Sequence, residues 1–288
     1  MAVPFECYDC ILGSLSGLVL RATEDCEAQL RLMKEFIRVV ADADDDATPP
    51  EFAAYFHRRV QELSGIEDFY REEKDRSTEL GLKLLPELRK MVEVSDDPFE
   101  TAVRFVMGGN IIDYGALPDF DLDSAEKAIC EVVDMPLAKE KVAQLKEAME
   151  QANSILYVLD NCGEAVIDHL LIDRFREKIT IAVRGGAILN DVTPLEAVQS
   201  GYGDFPLIHT GDMAPGASLR TSSKEFLHAL RSFDLIIAKG QGNYETLCEL
   251  DRPIFHLLRI KCPVIAKRTG GTLGSLYIEG RNINAASR

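Results

Sequence analysis

Three polar segments interrupt the apolar second half of this chain, and their residue types suit a cation and a phosphate. They are Asp160-Asn161-Cys162-Gly163-Glu164, the stretch from Arg184 to Asn190-Asp191, and Lys239-Gly240-Gln241-Gly242-Asn243-Tyr244. Their candidate ligands are hard oxygen donors, and no His lies in any of the three. Such a set matches Mg²⁺ or Mn²⁺ better than zinc. Asp160, the side-chain oxygen of Asn161, and Asp191 form the expected metal set, leaving coordination positions for water and substrate. Taken singly, an Asp or Asn at a strand end is usually a helix cap or a turn residue. Three such ends together point to a site.

The 239–244 segment is not a Walker loop, because its lysine precedes the glycines, and it is not GxGxxG. Its glycines let backbone approach a phosphate, and a helix starting near Asn243 would aim amides at it. Lys239 and Lys261 are candidate counter-charges. Thr210 to Gly216 is a turn that either borders the pocket or is an ordinary loop. Asn110 and Asp113 follow Gly108-Gly109 and are expected to line the site from the helical side. The histidines (His57, His169, His209, His228, His256) have no ligand spacing and are expected to take no catalytic part.

These segments need a scaffold, and the hydrophobic pattern predicts one. Apolar runs at 155–159, 179–183, 234–238, 253–258 and 263–266 read as strands, alternating with helical spacing at 163–175, 194–199, 222–231 and 244–250. Strands alternating with helices imply a parallel sheet, with ligands beyond the carboxyl ends of its strands. Residues 12–40, 51–63, 69–94 and 98–107 read as helices, with Pro86 kinking or dividing the third and Asp96 or Asp97 capping the fourth. Short helices are expected near 124–132 and 137–152. The expected fold class is therefore α/β, a mostly parallel Rossmann-like sheet covered by helices with an N-terminal all-helical domain. The boundary is placed near 150: a helical domain over 1–150, whose 108–115 segment reaches the site, and an α/β metal- and phosphate-binding domain over 151–288.

Composition narrows the function. With 46% hydrophobic and 28% charged residues in 288, the chain can bury a core. The net charge of −16 lies wholly in residues 1–150, while residues 151–288 are neutral. No basic stripe exists for a nucleic acid, but one local cationic pocket suffices for a small phosphorylated ligand. No apolar run approaches the ~20 residues that cross a bilayer, so no membrane partner is expected and a cytoplasmic location is. Seven scattered cysteines fit a reducing compartment. Cys7-Tyr-Asp-Cys10 has no second pair at zinc spacing, so a structural or incidental pair is favoured over redox sensing.

In chain order, Gly-Gly-Asn-Ile-Ile-Asp-Tyr-Gly (108–115), Asp-Asn-Cys-Gly-Glu (160–164), Asn190-Asp191 followed by Thr193, Lys-Gly-Gln-Gly-Asn-Tyr-Glu (239–245) and Leu-Arg-Ile-Lys-Cys-Pro (258–263) resemble the damage-control phosphatases, the family long labelled domain of unknown function 89. The first motif and the early CxxC resemble its compact archaeal-type branch. The resemblance implies a metal-dependent phosphatase acting on sugar phosphates or damaged phosphometabolites, with Mn²⁺, Ni²⁺, Co²⁺ or Mg²⁺. It implies that Asp160, Asn161 and Asp191 hold the metal, and that Lys261 and Asn243 bind phosphate. Lys239, Asn110, Asp113 and Glu164 are further pocket candidates. Larger relatives carry their acidic residue slightly further beyond the Asp-Asn pair than Glu164 stands.

The expected catalytic residues are Asp160 and Asp191. The attacking group is either Asp160, through an aspartyl phosphate, or a metal-held water. A non-enzymatic binding or scaffold protein is the main alternative. An S-adenosylmethionine-dependent methyltransferase ranks lower, because the first strand is followed by only one glycine. The sequence does not determine an oligomeric state.

Overall fold

The computed structural model describes residues 3–44, 47–109, 127, 129 and 131–283. Helices α1 (Cys7–Ala22), α2 (Cys26–Ala41), α3 (Pro49–Ser64), α4 (Arg71–Val94), α5 (Pro98–Gly108) and α6 (Lys139–Gln151) precede the first strand. The 12–40 pattern is two helices, divided where the Asp25 carboxylate caps α2 through the Glu27 N–H. Helix α4 is continuous. Pro86 and Leu82 lie on its exposed side, where water can satisfy the carbonyl that proline leaves unbonded. Asp97 Oδ1 caps α5 by accepting from Phe99 and Glu100.

The sheet contains β1 (Ile155–Val158), β2 (Ile179–Val183), β3 (Leu207–His209), β4 (Leu235–Lys239), β5 (Ile254–Arg259) and β6 (Leu276–Arg281), in spatial order β3-β2-β1-β4-β5-β6. All neighbours are parallel except β5 and β6. This order reverses direction between β1 and β4, the crevice where doubly wound sheets bind ligands.

Helices α7 (Cys162–Ile172), α8 (Pro194–Ala197), α9 (Lys224–Ser232), α10 (Gly240–Leu247) and α11 (Pro263–Thr269) connect the strands. Alternate residues of β1 serve opposite faces. Ile155 and Tyr157 join a core with α4, α5, α6 and α7, whereas Leu156 and Val158 pack with Phe226, Leu230 and Leu247. Every residue of α7 is buried, because the sheet lies on one side and α4 on the other. Helices α1–α3 hold a separate cluster around Leu15, Phe36 and Phe56. The larger core thus runs across residue 150, joining helices from the first half to the sheet.

Several expectations are corrected. Pro263–Ala266 is not a strand but the start of α11: proline sits in the first turn, Cys262 Sγ accepts the Ile265 N–H, and Gly270 ends the helix at φ 70°. A four-residue apolar run has too little periodicity to tell the two apart. The edge strands β3 and β6 were not anticipated, since one is three residues long and the other is half polar. Helix α10 begins at Gly240 rather than Tyr244, directly off β4. Helix α1 begins at Cys7, so the CxxC pair occupies its first turn.

Candidate active site

Asp160 follows β1, and Asp191 ends the loop that follows β2. A short backbone clip joins them. Asn161 and Asp191 form an isolated antiparallel bridge, with Val192 N–H donating to Asp160 O (2.9 Å) and Cys162 N–H donating to Asn190 O (3.0 Å). Arg184 N–H closes the loop on Val192 O at 2.8 Å. Within the loop Leu189 adopts φ 42°, a conformation costly for a residue with a Cβ. Beyond it, Thr193 and Glu196 form a capping box, and Glu196 Oε1 accepts from Arg71 of α4 at 2.7 Å. The Asp191 strand is therefore anchored to the helical half.

The two carboxylates meet at Arg184, which is fully buried. Its Nε donates to Asp191 Oδ2 at 2.6 Å, its Nη2 to Asp160 Oδ1 at 3.4 Å, and its Nη1 to Asn243 Oδ1 at 3.1 Å. Asn161 Nδ2 donates to Asp160 Oδ2 at 3.2 Å. Gly240 lies against the same carboxylate: at its φ of 77° a Cβ would stand 1.8 Å from Asp160 Oδ2. Gly242 is as constrained, since its Cβ would stand 2.0 Å from Pro215 O. The 210–216 turn is thus packed against the glycine segment, and Gly185 N–H also donates to Asp212 O at 2.7 Å. Burial, then the negative charges of Asp191 and Glu164, push the Asp160 carboxyl well above the usual carboxylate range; Arg184 and Lys261 oppose the shift.

Lys239 is placed differently from a rim cation. It is fully buried, and its Nζ donates to Glu164 Oε1 (2.5 Å), Asp168 Oδ1 (2.6 Å) and Val106 O (3.0 Å). Its charge is therefore engaged by the buried carboxylates of Glu164 and Asp168 rather than presented to the rim. Burial raises the Asp168 carboxyl to about 7 against the opposing pull of Lys239, and Tyr157 donates to the same oxygen at 3.2 Å. The Asn243 side chain is held at both ends, its Nδ2 donating to Lys239 O (2.7 Å) and Leu159 O (3.1 Å) and its oxygen accepting from Arg184. Lys261 is exposed; its backbone N–H donates to Gln241 Oε1 at 3.1 Å, and its charge reaches Asp160. Asn110 and Asp113 lie outside the described residues.

Sequence reasoning gave no role to Arg184 or Asp168. Arg184 carries a readable signal as a charged residue directly after an apolar strand. Asp168 stands four residues after Glu164 and so shares its helix face. The early CxxC is within electrostatic reach of Glu245 and Cys262: burial first, then the charges of Glu245, Cys262 and Cys10, push the Cys7 thiol up to about 11, which disfavours the reactive thiolate. A cavity of about 690 Å³ whose walls include Glu35, Arg38, Tyr55 and Arg220 contains none of the predicted site residues.

The donor set tests the metal expectation. Among the described residues, no three His, Cys, Asp or Glu side chains group as metal ligands. The Asp160, Asn161 and Asp191 set instead combines two carboxylates with an amide, all hard oxygen donors, on a backbone clip that keeps them adjacent. Those residues fit a small divalent cation.

The chain is similar to known proteins in sequence and fold. The chain is 31% identical over 283 residues to a Pyrococcus horikoshii protein named a damage-control phosphatase, covering 96% of this chain and 97% of that protein. An Archaeoglobus fulgidus damage-control phosphatase is 32% identical over 279 residues, covering 94% of this chain and 96% of its own length. The crystal structure of a domain-of-unknown-function-89 protein from Pyrococcus horikoshii superposes with a TM-score of 0.85 at 31% identity, covering 96% of this chain and 98% of that one. The family model for the damage-control phosphatase ARMT1-like domain matches residues 3–276. Matched over nearly its whole length, this chain belongs to the damage-control phosphatase ARMT1-like domain family.

Proposed function

We propose that this chain is a divalent-metal-dependent phosphatase that hydrolyses phosphate monoesters of small metabolites, such as sugar phosphates or damaged phosphometabolites, in the cytoplasm. The observation that carries the reading is the convergence of Asp160 and Asp191 on one guanidinium at the β1–β4 crevice, within electrostatic reach of Lys261. Family membership makes phosphatase the reaction class.

Asp160, Asn161 and Asp191 would hold the cation. When bound, it supplies Lewis-acid stabilisation of charge developing on the phosphoryl oxygens. Lys261 brings a positive charge to the mouth of the crevice, where phosphate enters. Helices α7 and α10 begin beside Asp160, and their N-terminal dipoles favour anionic groups there. Lys239 bridges Glu164 and Asp168, so their repulsion of an incoming phosphate is reduced. Burial of Asp160, Asn161, Asp191 and Arg184 keeps bulk water from screening these charges. Asn110 and Asp113 would bind substrate, a reading that rests on their place after Gly108-Gly109 and, for Asn110, on the family resemblance.

The test is phosphate release from a broad panel of phosphate esters by protein stripped with chelator and then supplied with Mn²⁺, Co²⁺, Ni²⁺ or Mg²⁺. Turnover is expected only with metal, and Asp191→Ala should lower it by about a hundredfold or more. Release at the normal rate by Asp191→Ala would remove the metal site. No release from any ester would favour the scaffold reading.

A further inference from the structure

Arg184 is the group through which three separate segments of the site touch one another, and a counter-charge alone would not need that. A buried carboxylate pair can be bridged by one ammonium, as Lys239 bridges Glu164 and Asp168 with its single Nζ. At Arg184 the planar guanidinium instead places three different nitrogens on three different residues. One is Asp160, beyond β1; one is Asp191, at the end of the β2 loop; one is Asn243, in the first turn of α10. Each partner is fixed from its other side. Asn161 occupies Asp160 Oδ2, the Asn161–Asp191 bridge holds the Asp191 backbone, and Lys239 O and Leu159 O hold the Asn243 amide. Arg184 is clamped too, by its N–H to Val192 O and by complete burial.

We propose that Arg184 is a positioning residue whose fork, rather than its charge, sets the distance and rotation of the Asp160 and Asp191 carboxylates, and so the affinity for the divalent cation. The inference rests on the metal reading above. A guanidinium spreads its donors over three nitrogens in a rigid plane, whereas a lysine ammonium makes all its contacts from one nitrogen and cannot hold that planar spacing. The oxygens that Arg184 engages, Asp160 Oδ1 and Asp191 Oδ2, are held by it in fixed directions. Through Asn243 the same fork ties the metal set to the helix that starts at the glycine segment.

The experiment measures Mn²⁺ binding by calorimetry and by the electron paramagnetic resonance signal of unbound Mn²⁺, for the wild type, Asp191→Ala and Arg184→Lys, with folding checked by circular dichroism. Arg184→Lys keeps the positive charge and is expected to weaken Mn²⁺ binding by about tenfold or more, as loss of an orienting partner does at metal sites. The spectrum of bound Mn²⁺ should broaden as the ligand geometry relaxes. Binding by Arg184→Lys as tight as the wild type, or tighter, overturns the proposal while leaving the metal site intact. A wild-type protein that takes up no Asp191-dependent Mn²⁺ overturns the metal reading and this proposal with it. If Arg184→Lys does not fold, Asn243→Ala carries the same test. It frees Nη1 while keeping the charge and both carboxylates, so weaker Mn²⁺ binding is expected and unchanged binding overturns the proposal.

Discussion

Asn161 and Asp191 face each other across an isolated antiparallel bridge in a sheet whose neighbouring pairs there are parallel. The loop after β2 turns back far enough to lay its last residues against the first residues beyond β1. Two motifs that are remote in sequence become one backbone unit, so the Asp160 and Asp191 side chains start from a shared platform. The spacing of their backbones is then governed by backbone hydrogen bonds rather than by flexible loops, and the carboxylates themselves meet at Arg184.

Gly240 sits where any side chain would strike the Asp160 carboxylate, at a φ of 77°. Gly240→Ala is expected to displace Asp160 and lower phosphate release by about tenfold or more. Gly270→Ala is the control: its φ is 70°, but nothing lies within 4 Å of the added Cβ. Both should lose stability through backbone strain, about 1–3 kcal/mol, and only the first should lose phosphate release. Equal rates for the two variants would mean that contact with Asp160 is unimportant.

Lys239 compensates two buried carboxylates, so removing it leaves charges rather than a small cavity. Lys239→Met should cost about 3–5 kcal/mol in urea unfolding. Adding Glu164→Gln and Asp168→Asn should recover part of that loss, because the variant then buries neutral groups. A single variant losing less than about 1 kcal/mol would show that the carboxylates take up protons instead.

His256 predicts an acid sensitivity. It is fully buried on β5 with its ring edge-on to Tyr244, and among the described residues neither ring nitrogen has a hydrogen-bond partner. Burial, with Arg281 adding to it, lowers its pKa to about 3 from an ordinary value of 6.5. Between these values the unfolded chain binds the extra proton, so the stability contribution is complete above about pH 6.5 and is lost as pH falls toward about 3. The slope approaches about 1.4 kcal/mol per pH unit. His256→Phe keeps an aromatic ring and cannot be protonated, so its stability should fall less steeply across that window. Identical slopes in urea unfolding would place the sensitivity elsewhere, with the buried His57 as the next residue to replace.

Much of this protein is legible in its sequence, because a parallel sheet buried on both faces needs continuous apolar runs, and the runs at 155–158, 179–183, 235–239 and 254–259 are such strands. The polar residues that end them announce the rim of a site, and their order along the chain resembles one family. The edge strands and α11 escaped, because three or four residues carry no decisive period and an edge strand needs no apolar run.

Which rim residues work together was decided only by the tertiary structure. The packing of helix and loops at the strand ends gave Lys239 to Glu164 and Asp168, and gave Arg184 to Asp160 and Asp191. Local sequence sets what each side chain is able to do. The partner that a buried charge takes depends on strand order and on how the loops fold back, and these involve residues far apart along the chain. A buried charge must find a partner, and only the assembled crevice determines which one it meets.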